Sequence, residues 1–344
     1  LNAGRRVFTV RQQAADFFDA PHPERLIFTA NTTESINIVL KGILKPGDHV
    51  LYSPLEHNAV WRPLSTMAQR QGIAMEMVPA TADGYLDLAQ LEAKIRPNTK
   101  LVCCIHGSNI SGAIQPVAAV GALCRAHNLL FLMDGAQTAG VLPISVEELQ
   151  VDFFAAPAHK GLYGPMGCGL LYVGDRGASA LHSFREGGTG SESHSGLQPL
   201  SYPDRLESGT INLPGVLGLG GGFSYLQRVG QQHIHDQLAQ LTQHFLAGVW
   251  DKPGITAYGP PPGVERTPVV MVNLNGLDGG EAAMLLEERY NIAVRAGFHC
   301  SPLAHNLLGT GKTGGIRFSF SSFNTMAEVE IALGALAELA AESL

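Results

Sequence analysis

A chain of 344 residues, 45% hydrophobic and 15% charged, is long enough for two domains, because single cores rarely grow beyond about 250–300 residues. No apolar run approaches the roughly 20 residues of a membrane-spanning helix. A net charge of -7 with no Lys/Arg cluster argues against a nucleic-acid partner and for a small-molecule substrate.

The chain starts at Leu1, within what reads as a first helix, and shows no signal peptide, so its natural N-terminus is expected to be missing. From about residue 25 to 175, short β-rich runs alternate with helical patterns. The runs are Leu26 to Thr29, His49 to Tyr52, Ala74 to Val78, Leu101 to His106, Leu129 to Met133, Phe153 to Ala155 and Gly169 to Val173. Amphipathic stretches such as Thr33 to Leu44 and Val117 to His127 lie between them. This is the pattern of an α/β fold with a mostly parallel sheet.

Three of these strands lead into candidate ligand positions. Asn31-Thr32-Thr33-Glu34 opens a helix at capping-box spacing, where free N–H groups can hold a phosphate or simply be capped. Glu56-His57-Asn58 and Ser108-Asn109 each follow a strand at the edge where α/β proteins bind ligands. Either segment also reads as an ordinary turn.

Asp134 closes the apolar run Leu129-Leu130-Phe131-Leu132-Met133, and a carboxylate buried there calls for a cationic partner. One strand later, Lys160 follows the apolar Phe153-Phe154-Ala155-Ala156-Pro157, where desolvation would lower its pKa toward nucleophilic values. Together the pair suits pyridoxal phosphate: the lysine can form a Schiff base with the aldehyde, and the carboxylate can keep the pyridine nitrogen protonated.

After Gly174 comes a long loop, Glu186 to Asn212, of the kind that usually carries function. A single connecting helix is expected over about 216–249. Strands near Val269 to Leu274 and Ile316 to Phe320 and a closing helix from Ala327 then make a smaller α+β domain. The expected division is 1–217 for the large cofactor-binding domain and 218–344 for the connecting helix and small domain.

The five cysteines are odd in number, and Cys103, Cys104, Cys124 and Cys168 lie in apolar or Gly-rich segments. A disulfide framework is therefore not expected, no metal site is expected, and a reducing cytoplasm fits. Cys300 differs. It stands in Arg295-Ala-Gly-Phe-His-Cys300, a loop setting near a guanidinium that favours an accessible, reactive thiol. Arg317, on an alternating strand, can offer its fork to a carboxylate or make a surface ion pair. Gly311-Lys312-Thr313 lacks the rest of a P-loop, and Gly218 to Gly222 miss the dinucleotide spacing.

In order, Thr32-Thr33-Glu34, Glu56-His57, Ser108-Asn109, Asp134-Gly-Ala-Gln137, His159-Lys160, Ser208-Gly-Thr210, Arg295-x-Gly-x-His-Cys300 and Arg317-Phe-Ser resemble the class V aminotransferase superfamily. Within it the likeness is to cysteine desulfurases and selenocysteine lyases with a short R-x-G-x-H-C loop. The resemblance implies a homodimer of pyridoxal phosphate fold type I, at work in sulfur metabolism and iron-sulfur cluster assembly. Lys160 would carry the cofactor and move protons. His57 would stack on its ring, with Asp134 at the ring nitrogen and Gln137 at the ring oxygen. Thr32 or Thr33 and His159 would bind the phosphate, joined by Thr210 from the neighbouring subunit.

The resemblance further implies that Arg317 and Asn109, with Arg295, hold the carboxylate of L-cysteine or L-selenocysteine. Cys300 would take the sulfur as a persulfide, leave alanine and pass the sulfur to an acceptor protein. The chain departs from the pattern at Pro157, where many relatives place a phosphate-binding serine, and at Gly161, an extra residue. It also lacks the Leu-Asp-Asn-Ala segment that relatives carry near the site. The alternative within the same cofactor chemistry is a cystine or cysteine C–S lyase, or an aminotransferase, that does not use Cys300.

Overall fold

The computed structural model describes residues 2–81 and 84–343. The first seven strands are β1 (Leu26–Thr29), β2 (His49–Tyr52), β3 (Ala74–Met77), β4 (Thr99–Ile105), β5 (Leu130–Asp134), β6 (Phe153–Pro157) and β7 (Gly169–Val173). They form one sheet in the order β1-β7-β6-β5-β4-β2-β3. The pairings among β2 to β6 are parallel, and β7 runs antiparallel to both β6 and β1. This is the expected mostly parallel α/β sheet.

Parallel strands need crossovers, and the helices that supply them, together with one before β1 and one after β7, cover both faces of the sheet. They are α1 (Asn2–Phe17), α2 (Thr32–Ile43), α3 (Asn58–Gln71), α4 (Leu88–Ala93), α5 (Val117–Ala126) and α6 (Asp175–Ala180). The period-2 alternation of the strands divides the core in two. Val102, Cys104, Phe131, Met133 and Phe154 face one layer; Leu101, Cys103, Leu132 and Phe153 face the other. Because the parallel strands share a direction, the loops after β2, β4, β5 and β6 open on the same edge of the sheet.

The single helix expected over 216–249 is corrected to two, α7 (Leu213–Val229) and α8 (Gln231–Val249). Gly230, at φ 90°, lies between them in a conformation that side chains rarely adopt. The expected division at 217/218 falls inside α7, whose Leu219, Phe223 and Leu226 belong to the core of the large sheet. From Leu241 onward the apolar face of α8 serves the second core.

That core lies under an antiparallel sheet, β8 (Ile255–Tyr258), β9 (Val269–Leu274), β10 (Arg295–Gly297) and β11 (Gly315–Ser319), in the order β10-β11-β9-β8. It is covered by α9 (Gly279–Tyr290) and α11 (Met326–Glu342), with α10 (Pro302–Leu307) between β10 and β11. A small cluster of Leu55, Ile105, Ile110, Met271 and Ala304 joins the two units beside the open edge of the large sheet. Buried Arg266 ties the same joint, donating to the carbonyls of Ser111 (2.7 Å) and Val269 (3.0 Å). Among the described residues no helix is long and apolar enough to cross a membrane.

Candidate active site

The loops at the open edge enclose a cavity of about 210 Å3 lined by Thr32, Thr33, His57, Asn109, Asp134, Gln137, His159 and Lys160. A second cavity of about 480 Å3 shares His57, Asn109, Gln137, His159 and Lys160 and adds Arg295, His299 and Arg317 from the small domain. Lys160 stands where the two meet. The sequence-predicted residues thus come together from five loops of the large sheet and from the small domain, with two exceptions: Cys300 lines an adjoining depression that shares Thr33 and His57 with the smaller cavity, and Thr210 lies apart. Thr210 is exposed and lines a different depression with Glu207 and Ser208.

Asp134 ends β5 and is 2% exposed. Its carboxylate accepts one hydrogen bond, from the Ala136 N–H at 2.9 Å. Burial raises its pKa, and that N–H and the charge of Lys160 only partly offset the effect. A buried carboxylate in this condition is a receptor for a cation or a protonated ring nitrogen. Nearby Glu56 is fully buried and its pKa is pushed up to about 8, by burial first and by Asp134 among the other causes. One oxygen accepts from Ser53 (2.6 Å) and the Ile105 N–H (2.7 Å), and the other has no partner.

Lys160 sits in the turn after β6. Desolvation lowers its pKa; Asp134 opposes this, while Arg317 and Arg295 reinforce it. Solvent in the cavities reaches the side chain although protein surrounds it. The turn is held by close backbone approaches. A Cβ on Gly161 would lie 2.4 Å from the Ala139 carbonyl, and one on Gly222 of α7 would lie 2.0 Å from that of Leu162. The additional Gly161 and the glycine run in α7 therefore let the Lys160 turn pack flat between two elements.

His57 caps α3, its Nδ1 accepting from the Ala59 N–H at 3.0 Å. This assigns the proton to Nε2. Burial, then Lys160 and the arginines Arg295, Arg62 and Arg317, drive its pKa down to about 4, so the ring is neutral at physiological pH. Asn31 caps α2 by accepting from Glu34 N–H at 3.0 Å, and the Glu34 carboxylate reaches back to the Ala30 N–H at 2.6 Å. Thr32, in the first turn, is 8% exposed, and its hydroxyl lacks a partner. An unpartnered hydroxyl at a helix N-terminus that faces a cavity fits an anion such as phosphate.

On the small-domain side, Arg295 and Arg317 are direct register partners across β10 and β11. Opposed like charges cost stability, so this pair reads as an anion receptor. The pKa of Arg317 is lowered by burial and then by Arg295, and its Nε has no partner. Of the five cysteines, four are buried and Cys300 is partly exposed. The Arg295 guanidinium reaches its sulfur at 3.6 Å.

Asn109 lines both cavities, yet its amide is turned toward the Cys300 loop. It donates to the His299 carbonyl and accepts from the Ser301 hydroxyl, each at 2.8 Å. Sequence reasoning gave no reason to single out Ser301, His305 or Thr310, and all three hold this loop. Their partners are brought near by folding, and no local pattern signals them.

The model of the class-V aminotransferase family matches residues 2–332. A protein named probable cysteine desulfurase from Methanothermobacter thermautotrophicus is 33% identical over 99% of this chain and 85% of its own. A cysteine desulfurase from Pectobacterium atrosepticum is 32% identical over 93% and 79%. Among solved structures, the apo cysteine desulfurase of Thermococcus onnurineus superposes with a TM-score of 0.92 at 33% identity, over 99% of this chain and 85% of that one. With the family pattern running nearly end to end on the matching fold, the chain belongs to the class-V aminotransferases.

Proposed function

We propose that the protein is a pyridoxal-phosphate-dependent cysteine desulfurase that releases L-alanine and keeps the sulfur on Cys300. The observation that carries the reading is the placement of one accessible thiol, beside Arg295, in a depression that shares Thr33 and His57 with the cavity built around Asp134 and Lys160. The residues fit the cofactor. Asp134 is a buried carboxylate short of a counter-charge, the Thr32 hydroxyl lacks a partner at a helix N-terminus, and Lys160 is a desolvated amine. When bound, pyridoxal phosphate would draw off the electron pair left at the substrate α-carbon.

The chain's own groups supply the rest. Lys160 attaches the cofactor and carries the α-proton. Neutral His57 packs against the ring and donates through Nε2. Arg317 and Arg295 hold the substrate carboxylate, joined by the uncommitted amide hydrogen of Asn109. The Cys300 thiol attacks the substrate sulfur: the S–S bond forms, the C–S bond breaks, and carbon keeps the electron pair and takes a proton. L-cysteine and the thiol thus become alanine and a persulfide, with no oxidant required. L-selenocysteine has the same shape and a weaker bond to the transferred atom, so it fits as a second substrate.

Incubation with L-cysteine should yield alanine and add the mass of one sulfur to Cys300. The Cys300→Ala variant should lose alanine release while keeping the cofactor spectrum. Pyruvate and ammonia from L-cysteine, or alanine from that variant at the parental rate, would identify a lyase that does not use the thiol.

A homodimer is part of this proposal. Thr210 lies outside its own cavity, and Met166, Leu197 and Leu200 expose large apolar side chains, as expected of a face that a second copy covers. The protein should elute at twice the chain mass, and Leu197→Asp with Leu200→Asp should shift it toward monomer; an unchanged elution would exclude this face. Cys300 must pass its sulfur on, so an acceptor thiol, on a protein or a small molecule, completes the turnover.

A further inference from the structure

The segment from Gly297 to Cys300 is strained. Gly297, His299 and Cys300 all have positive φ, at 101°, 50° and 60°, a region in which two successive non-glycine residues are unusual. Something must hold it, and much of what does is a chain of side chains behind the loop. His299 and His305 are 3% and 0% exposed, with rings within 15° of parallel and Nδ1 of His299 at 3.3 Å from Nε2 of His305. Nε2 of His299 lies 3.0 Å from the Arg295 carbonyl, and Nδ1 of His305 lies 2.7 Å from the Thr310 hydroxyl.

For neutral rings these contacts permit only one assignment of protons. A carbonyl can only accept, so His299 carries its proton on Nε2 and its Nδ1 accepts. His305 must then donate from Nε2, and its Nδ1 accepts from the Thr310 hydroxyl at 2.7 Å, a shorter contact than the 3.3 Å from that hydroxyl to the His305 carbonyl. Both rings are neutral, their pKa values lowered chiefly by burial. The bonds therefore run one way, Thr310 to His305 to His299 to the Arg295 carbonyl, and end on the residue whose guanidinium touches the Cys300 sulfur. Asn109 grips both neighbours of Cys300, and the Asn58 N–H donates to the Cys300 carbonyl at 2.7 Å.

We infer that Thr310 and His305 are positioning residues for sulfur transfer: through His299 they hold the strained Cys300 loop in the geometry from which the thiol attacks. Neither residue lines the two cavities, so neither touches substrate or cofactor. The inference rests on the reading of Cys300 as the sulfur-accepting thiol.

The test is made on the loaded enzyme. Thr310→Val keeps the shape and removes the hydroxyl proton, so Nδ1 of buried His305 loses its donor, and the ring loses the contact that fixes its orientation toward His299. The expected result is a loss in kcat of roughly tenfold, the scale of one broken buried hydrogen bond, with KM and the cofactor spectrum unchanged. Thr310→Ser should restore it. Nitrogen NMR of labelled histidines should show both rings as Nε2–H in the parent and, in Thr310→Val, a shifted Nδ1 resonance of His305 that reports the lost hydrogen bond.

Should Thr310→Val fail to fold, His305→Gln, which keeps a donor toward His299, should turn over faster than His305→Leu. Parental kcat in Thr310→Val, or equal loss in the two His305 variants, would overturn the inference. So would an unchanged Nδ1 resonance of His305. The NMR signature is also read in Cys300→Ala, so a failure of the chain and a failure of the thiol reading are told apart.

Discussion

Lys160→Ala should abolish desulfuration, by at least about 10^3-fold, within the range set by loss of a positioned acid–base group alone, and should lose the borohydride-stable adduct that the parent forms at this residue. Two functions disappear together, since Lys160 both attaches the cofactor and handles the α-proton. Lys160→Arg separates charge from chemistry. It restores a cation opposite Asp134, whose carboxylate is otherwise compensated by a single N–H, yet a guanidinium stays protonated and cannot act as a nucleophile. Thermal stability should therefore recover in Lys160→Arg while turnover stays lost. An active Lys160→Ala or a trappable adduct elsewhere would refute the assignment.

The pH dependence follows from the same surroundings. Burial and the two arginines lower the lysine pKa while Asp134 raises it. Neutralising either arginine should therefore move the limb of cofactor attachment that reports Lys160 to higher pH. Arg317→Met should do so more than Arg295→Met, as Arg317 is the larger of the two influences. Titration of adduct formation checks the order.

Much of this site was legible because its parts obey short-range rules. An apolar run ending in Asp134 can only be a buried strand with a carboxylate at its tip, and the strand is there with the residue 2% exposed. Alternating burial carried the large sheet in the same way. What stayed hidden depends on the third dimension. The break at Gly230 leaves no trace in the hydrophobic pattern, because Leu226 before it and Ile234 after it both feed the core of the large sheet. β10 is three residues long, too short for a periodic signal, and is held as a strand by β11.

Asn109 shows a subtler limit. Its position after β4 was read correctly, but its amide is engaged by a loop 190 residues away, a distance no sequence rule spans. His305 and Thr310 lie five residues apart and read as unremarkable loop residues until the fold places them behind Cys300.

Asp134→Asn should produce opposite effects in the two states of the protein, and so distinguishes a cofactor carboxylate from a structural one. Without cofactor, the pKa of Asp134 is raised in the folded state by burial. A raised carboxyl favours folding while it is protonated, below the unfolded value of about 4, and this contribution is lost as pH rises through the folded pKa. At neutral pH the cofactor-free parent therefore carries a buried charge that asparagine does not, and Asp134→Asn should melt higher there, with the gain vanishing near pH 4. With cofactor bound, the carboxylate faces a protonated ring nitrogen, and removing one partner of such a buried pair costs about 3–5 kcal/mol.

Turnover should accordingly fall by roughly 10^2- to 4 × 10^3-fold, since about 1.4 kcal/mol corresponds to a factor of ten. The rise in melting temperature on adding cofactor should shrink. Glu56 gives an internal check. Its pKa of about 8 owes part of its elevation to Asp134, so Asp134→Asn should lower it and move the residual pH dependence of cofactor-free stability downward. A variant that melts lower without cofactor and loses no turnover would mean that Asp134 serves the fold alone.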